Sequence, residues 1–267
     1  VISLVTANVN GVRAAVRRGG LAWLKAADPD IICLQEVRAD GDQLTAALVE
    51  GGLTDWHVAH EPSSDLGRSG VAVLTKQAHV AARGLAGHSS TGRWVETELD
   101  TEVGPLTVVS AYVPTGETDT ARQVEKYAFL DAMSVRLDEL ATRAGTGGGE
   151  AVITGDFNIA HAKADIKNWK GNLNKSGFLV EERTYLDRWF GAGWTDLGRY
   201  HGGAGPGPYT WWSWRGKAFD NDAGWRIDYV LSTPALAARS MKIEVGRAAT
   251  YAERWSDHAP VTAWFTQ

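Results

Sequence analysis

Apolar runs of strand length recur along the whole chain, and several follow one another with no helix-like segment between them. The runs cover residues 2–7, 31–35, 71–75, 94–99, 106–113, 151–154, 227–231 and 261–265. They are short and rich in β-branched residues, as buried strands are. Between residues 71 and 113 three such runs succeed one another directly, so antiparallel or mixed sheets are expected instead of a purely parallel one. Helix-like segments separate other runs. The clearest begins near residues 118–120, carries Tyr127, Leu130, Met133, Leu137 and Leu140 on one face, and ends at Gly145. Shorter helices are expected over 21–27, 43–49 and 181–190. Two packed sheets flanked by helices would bury both the sheet-to-sheet and the sheet-to-helix surfaces. The 267 residues, 44% of them hydrophobic, supply enough apolar material for that core. No linker-like tract or repeat divides them, so a single domain over 1–267 is expected.

The net charge of −5 argues against non-specific coating of nucleic acid by the whole surface. Lys163, Lys167, Lys170 and Lys175, set against Asp165, form either a confined anion-binding patch or an ordinary solvated loop. No run approaches the roughly 18 apolar residues that a membrane span needs, and the N-terminus has no apolar signal core. Cys33 is the single cysteine and lies in an apolar run. It has no disulfide partner, which fits a reducing compartment and an inert core residue. A cytoplasmic protein without a membrane partner is the expectation. Six of the twelve tryptophans (Trp189, Trp194, Trp211, Trp212, Trp214 and Trp225) crowd into one short stretch.

Polar residues gather where apolar runs give way to loops: Asn8 and Asn10, Gln35 and Glu36, Tyr112, Asp156 and Asn158, then Asp257 and His258 before the last run. Five such coincidences point to a common edge where loops converge on a rigid scaffold. Asp228 lies inside an apolar run, where a carboxylate must be paired or do chemistry. It faces the opposite side from Ile227 and Tyr229. Asp156 and Asn158 would point the same way if the backbone stays extended. Glu36 has no basic neighbour before Arg38, so a hard divalent cation would be a natural partner. Magnesium suits such oxygen ligands, whereas no Cys/His cluster has zinc spacing. Phosphodiester hydrolysis fits these residue types: an anionic ester needs a metal or donors to offset charge, and water needs a base. A buried Asp beside His would orient the ring and stabilise its protonated form. Plainer roles stand beside these: Glu36 as a turn cap, Tyr112 as a core tyrosine, Asn8 as a turn former, residues 156–158 as an Asx turn, His161 as a structural histidine, and Trp211 and Trp225 as core residues.

Taken in order, Asn8-Val9-Asn10-Gly11, Leu34-Gln35-Glu36, Gly155-Asp156-Phe157-Asn158, Trp225-Arg226-Ile227-Asp228-Tyr229 and Ser256-Asp257-His258-Ala259-Pro260-Val261 resemble the exonuclease III family of abasic-site endonucleases. That family lies within the endonuclease/exonuclease/phosphatase superfamily. The 225–229 string and Tyr209-Thr210-Trp211-Trp212 are the parts more specific to the abasic-site branch. The resemblance implies an α/β fold: a four-layer αββα sandwich of two mixed, mainly antiparallel sheets flanked by helices, as in DNase I. It implies magnesium, or manganese in its place, held chiefly by Glu36 with Asn8 and Asp257 nearby. Asp156, Asn158 and His258 would be available to a second or shifting ion.

By the same resemblance Asp156 would activate water, and Asn158 would help hold it and the transition state. His258, oriented by Asp228, would contact the scissile phosphate, and Tyr112 would donate to a phosphate oxygen. Trp211, Trp225 and Ile227 match the walls of a pocket for a baseless sugar. Lys170, Asn172 and Lys175 resemble a phosphate-gripping loop. The implied partner is double-stranded DNA with abasic sites or 3′ ends, acted on by a monomer, with incision 5′ to the lesion and 3′-to-5′ exonuclease and 3′-phosphatase action beside it. Two positions depart from the pattern. Asn10 stands where animal relatives have Asp, and Thr115 replaces an amide common shortly after the tyrosine. Loops of the kind at 116–120 would set the balance of activities. The rivals are another phosphoesterase of the superfamily, such as a DNase I-like nuclease, and a DNA-binding protein without catalysis.

Overall fold

The computed structural model describes residues 1–65, 67–102 and 104–266. Among them the strands are β1 (Ile2–Asn8), β2 (Ile31–Gln35), β3 (His57–Glu61), β4 (Val71–Thr75), β5 (Val80–Arg83), β6 (Trp94–Thr101), β7 (Gly104–Tyr112), β8 (Glu150–Asp156), β9 (Thr195–Asp196), β10 (Asp228–Ser232), β11 (Ser240–Val245) and β12 (Val261–Phe265). The helices are α1 (Val12–Arg17), α2 (Gly20–Ala27), α3 (Gly41–Gly51), α4 (Ala121–Gly145), α5 (Val180–Gly191), α6 (Leu197–Gly202) and α7 (Pro234–Ala238). The strands form two six-stranded sheets, ordered β11-β12-β1-β2-β4-β3 and β5-β6-β7-β8-β10-β9. Only β1 with β2 and β7 with β8 run parallel; the other pairs are antiparallel.

The continuous apolar runs have a direct cause: the central strands are covered on both faces. Along β1, Leu4 points into the layer between the sheets, where it meets the set that includes Cys33, Val73, Val108, Val152 and Val230. Val5 and Ala7 point the other way, onto Leu21, Leu24, Leu44 and Leu48 of α2 and α3. On the far side of the second sheet, Val109, Ile153 and Leu231 pack against Phe129, Leu130, Met133, Leu137 and Leu140 of α4 and Leu186 and Trp189 of α5. These are four layers in the order helix, sheet, sheet, helix. Burial pushes the Cys33 thiol up to about 12, so it stays protonated and inert.

Several elements were not expected from the chain alone. The edge strands β3 and β11 are exposed or half-buried except at Ala59, because an edge covers little of its surface. β5 and β9 are very short, and α1, α6 and α7 run five or six residues, too few to show a helical period.

One glycine is demanded by the strand pairing that carries the site. Gly155 sits at φ +135°, and a Cβ there would collide with the Ala111 carbonyl of the parallel neighbour β7. Gly155→Ala is therefore expected to cost about 2–4 kcal/mol through strain plus overpacking. Chemical denaturation would show it as a lower midpoint at unchanged slope, and a wild-type midpoint would contradict it.

Candidate active site

The topology explains why polar residues scattered along the chain meet. β1 and β2 end at one edge of the first sheet, and β12, antiparallel to β1, begins there. In the second sheet β7 and β8 end, and the antiparallel β10 begins, at the corresponding edge. Tyr112 and Asp228 flank Asp156 in register on its two sides. Directly opposed residues share a face, so these three side chains stand in a row. Asn8 reaches them from the other sheet, its Nδ2 donating to Asp156 Oδ2 at 3.0 Å and to Glu36 Oε1 at 2.9 Å. Behind the row, Gln35 Nε2 donates to Ser110 Oγ at 2.9 Å, tying the sheets together below the site.

Local backbone then aims the groups. Asn10, Glu36 and Asn158 all adopt positive φ (46°, 50° and 49°), a conformation that side-chain-bearing residues rarely take and that clusters at functional sites. The chain beyond Asp156 does not stay extended. Asp156 Oδ1 accepts from the Asn158 backbone N–H at 2.9 Å in an Asx turn, while Asn158 Nδ2 donates to Val113 O at 2.9 Å. Turn and site are the same feature here. Arg38, the first basic neighbour of Glu36 in the sequence, is itself a partner of that acid. At φ 51° it curls back so that its guanidinium pairs with Glu36 Oε2.

His258 is 7% exposed, and its Nδ1 lies 2.9 Å from Asp228 Oδ2 while its Nε2 lies 3.6 Å from Asp156 Oδ2. Burial alone would disfavour the imidazolium, but the carboxylates of Asp228 and then Asp156 outweigh it and push His258 up to about 10. That rise favours the charged ring, with Nδ1 turned toward Asp228. Burial pushes Asp156 above the usual carboxylate range; His258 pulls it back, and Asp228 and Glu36 add to the rise. Burial, then the neighbouring Glu36 and Asp156, raise Tyr112 so far that its hydroxyl remains a donor. Arg93 lies 4.9 Å from the centre of its ring.

Glu36, Asp156 and His258 each offer a ligand atom, and the three lie within 4.8 Å of one another. The buried Asp156 and half-buried Glu36 carboxylates, bridged by the Asn8 amide, form a hard oxygen donor set that a divalent cation would suit. Asn8 faces them with nitrogen, and its Oδ1 accepts from the Asn10 N–H at 3.0 Å, so it tethers the acids in this arrangement. The Asp257 carboxylate accepts from Asn10 Nδ2 at 2.9 Å and Trp211 Nε1 at 3.1 Å.

A cavity of about 260 Å³ opens on these groups, lined by the polar residues Glu36, Tyr112, Asp156, Asn158, Asp257 and His258 together with the apolar Trp211, Trp225 and Ile227. The two indoles meet edge to face, 6.2 Å between centres. They pack on Ala160, Ile166, Phe178 and Ile227, so they are at once core and wall. The other tryptophans of the cluster lie elsewhere: Trp189 of α5 and Trp194 in the core between α4, α5 and the second sheet, Trp212 against Phe219, and Trp214 beneath Arg18 and Arg254. Lys170 and Asn172 lie on an exposed turn, and Lys175 follows just before the wall residues Ser176 and Gly177. Lys163 and Lys170 both rest on Trp169. His161 pairs with Asp187 at 2.7 Å.

Several contributors had no assigned role in the sequence. Thr210 Oγ1 donates to Asp228 Oδ2 at 2.6 Å, and Ser256 Oγ donates to the Asn8 carbonyl at 2.7 Å. Both stand inside quoted motifs, which was the available signal. Ser176 and Gly177 carried none, because glycine and serine in a loop are commonplace.

The family described as "Endonuclease/Exonuclease/phosphatase family" matches residues 5–258. An exodeoxyribonuclease of Bacillus subtilis is 32% identical over 265 residues, covering 97% of this chain and 98% of that protein. The structure of an AP endonuclease from Archaeoglobus fulgidus superposes with a TM-score of 0.85 at 26% identity, covering 99% of each chain. A Neisseria 3′ phosphatase bound to product DNA hairpin superposes with a TM-score of 0.86 at 30% identity over 100% of both chains. No helix among the described residues is long and apolar enough to cross a membrane.

Proposed function

The chain belongs to the endonuclease/exonuclease/phosphatase family, and from that premise we propose that it is a magnesium-dependent DNA-repair nuclease, active as a monomer, that hydrolyses the phosphodiester 5′ to abasic sites to leave a 3′-OH. The observation that carries this choice of substrate is one cavity lined both by the acids and by two indoles. A baseless sugar would lie against the indoles, and extrusion of such a nucleotide is cheapest because its pairing is already lost. Processing of 3′ ends by the same site is part of the proposal, supported by the likeness to a 3′ phosphatase.

Each residue has a chemical task in this reading. Glu36 and Asp156 would hold the divalent ion, with Asp257 alongside; when bound, the ion supplies positive charge against the developing phosphorane. Asp156, raised toward neutrality by burial, accepts the proton of the attacking water, which Asn158 helps to hold. The imidazolium of His258 offers its Nε2–H to a phosphate oxygen, and the Tyr112 hydroxyl donates to another. Asp228 keeps the ring charged and turned. Lys170, Asn172 and Lys175 grip flanking phosphates, which positions the duplex without reading its sequence.

The deciding assay offers the wild-type protein a synthetic abasic duplex, the same duplex intact, and an inositol phosphate, each with Mg²⁺ or chelator. Incision of the abasic strand, lost with chelator and restored by Mg²⁺, is expected. Equal or faster turnover of either other substrate overturns the proposal.

A further inference from the structure

Beneath the cavity lies an ion pair with no part in the chemistry above. Lys126 of α4 and Glu182 of α5 are completely buried and stand 2.8 Å apart. Lys126 Nζ also donates to the carbonyls of Thr115 at 3.1 Å and Asn158 at 2.8 Å. Glu182 Oε1 accepts from Ser176 Oγ and Gln123 Nε2, both at 2.9 Å, and its Oε2 accepts from the backbone N–H groups of Gly177 at 2.6 Å and Leu179 at 3.2 Å. Thr115, Asn158, Ser176 and Gly177 all line the cavity. They come from three loops far apart in sequence; direct bonds link them as well, with Ser176 Oγ 2.7 Å from Thr115 O and Gly177 O accepting from the Ala160 N–H at 2.8 Å, and the ion pair touches all three at once.

Stability does not account for it. Taking both charges out of water costs about as much as their attraction returns, and apolar side chains of similar size commonly do as well. Packing around the pair is tight enough to transmit its position. Gly116 adopts φ +74°, and a Cβ there would meet Ser176 Oγ at 2.5 Å, Gln123 Oε1 at 2.6 Å and Lys126 Cδ at 2.9 Å.

We infer that Lys126 and Glu182 are positioning residues that lock the Thr115, Asn158 and Gly177 loops into one frame, and so fix the water-holding amide relative to the sugar pocket. The inference rests on the nuclease reading for its substrate, though not for its geometry. The pair acts through backbone anchors: two carbonyls on the lysine side and two amide N–H groups on the glutamate side.

The test is the double variant Lys126→Met with Glu182→Gln, which removes both charges together and leaves neither unpaired. Wild type is first assayed on the abasic duplex, so failure of the nuclease reading shows there, apart from any variant. The double variant is expected to melt cooperatively and keep KM within about threefold, because the side chains of Lys170, Asn172 and Lys175 are themselves unaltered. Its kcat should fall roughly tenfold to a hundredfold, the scale of a misplaced reacting group. Amide hydrogen exchange should show protection lost together at residues 113–116, 158 and 176–179 while the sheets stay protected. Unchanged kcat per folded molecule, or protection retained in those three loops, overturns the inference. If the double variant does not fold, Gly116→Ala presses on the same pair with both charges in place. It should show the same kcat loss and exchange pattern, and wild-type values in it equally overturn the inference.

Discussion

Asp156→Asn is expected to lower kcat on an abasic duplex roughly 10³-fold or more while leaving the fold intact, an effect of about 4 kcal/mol on the barrier. The substitution keeps size and one acceptor oxygen, so the Asn158 N–H retains its partner and the Asx turn survives. What it removes is the group proposed to take a proton near neutrality and one of the two carboxylates proposed to hold a divalent ion. It also takes a negative charge from beside His258, so the imidazolium loses its second-largest electrostatic support. Three losses at one atom group explain why the largest effect is expected here. Single-turnover kinetics with circular dichroism as a fold control would measure it. Activity within tenfold of wild type would remove Asp156 from the chemistry.

Asp228→Asn should approach the same size, on the order of 10³-fold, and it carries a distinguishing pH signature. Asp228 is the largest contributor that raises His258, and it accepts the ring's Nδ1–H. With a neutral amide there, the burial that disfavours the imidazolium is no longer offset by that carboxylate. His258 would then lose its proton at a lower pH than the value near 10 in the wild type. The direction follows from the sign of the shift: activity that needs the charged ring is present below its pKa and fades as pH rises through it. The alkaline fall-off of kcat should therefore move to lower pH in the variant. The Asp156 carboxylate remains to hold part of the charge, so the shift is partial. A lower kcat with an unmoved alkaline limb would mean that Asp228 serves the loop and not the ring.

These two expectations differ in how they could be anticipated. An acid inside the apolar run 227–231 announces itself in the sequence, because a buried carboxylate needs a reason to be there. Its partner His258 is thirty residues on, and nothing local says that β10 and the start of β12 face each other across two sheets. The strand rhythm was legible for the central strands, which are apolar on both faces, and faint for β3 and β11, whose edges are half wet. Glu36 illustrates the opposite case. With no basic neighbour before Arg38 its natural partner was expected to be a divalent cation, yet positive φ at both residues folds that arginine back onto it. Backbone conformation of that kind is chosen by tertiary packing and not by residue type.

By itself the sequence determined the chemical inventory: acids, amides, one imidazole and one tyrosine at strand ends, in an order that marks the family. It also determined the apolar rhythm that forces two sheets to be covered on both faces. A common edge for those strand ends, and Trp211 and Trp225 as walls, were already expected; only the tertiary structure decided that Arg38 folds back onto Glu36 and that Lys126 and Glu182 meet beneath the cavity. The physical reason is range. Periodicity and turn chemistry act over a few residues, whereas the site is held by hydrogen bonds and ion pairs between residues up to 248 positions apart, as between Ser256 and Asn8. Such contacts depend on how layers stack, and that is settled by packing the whole chain at once.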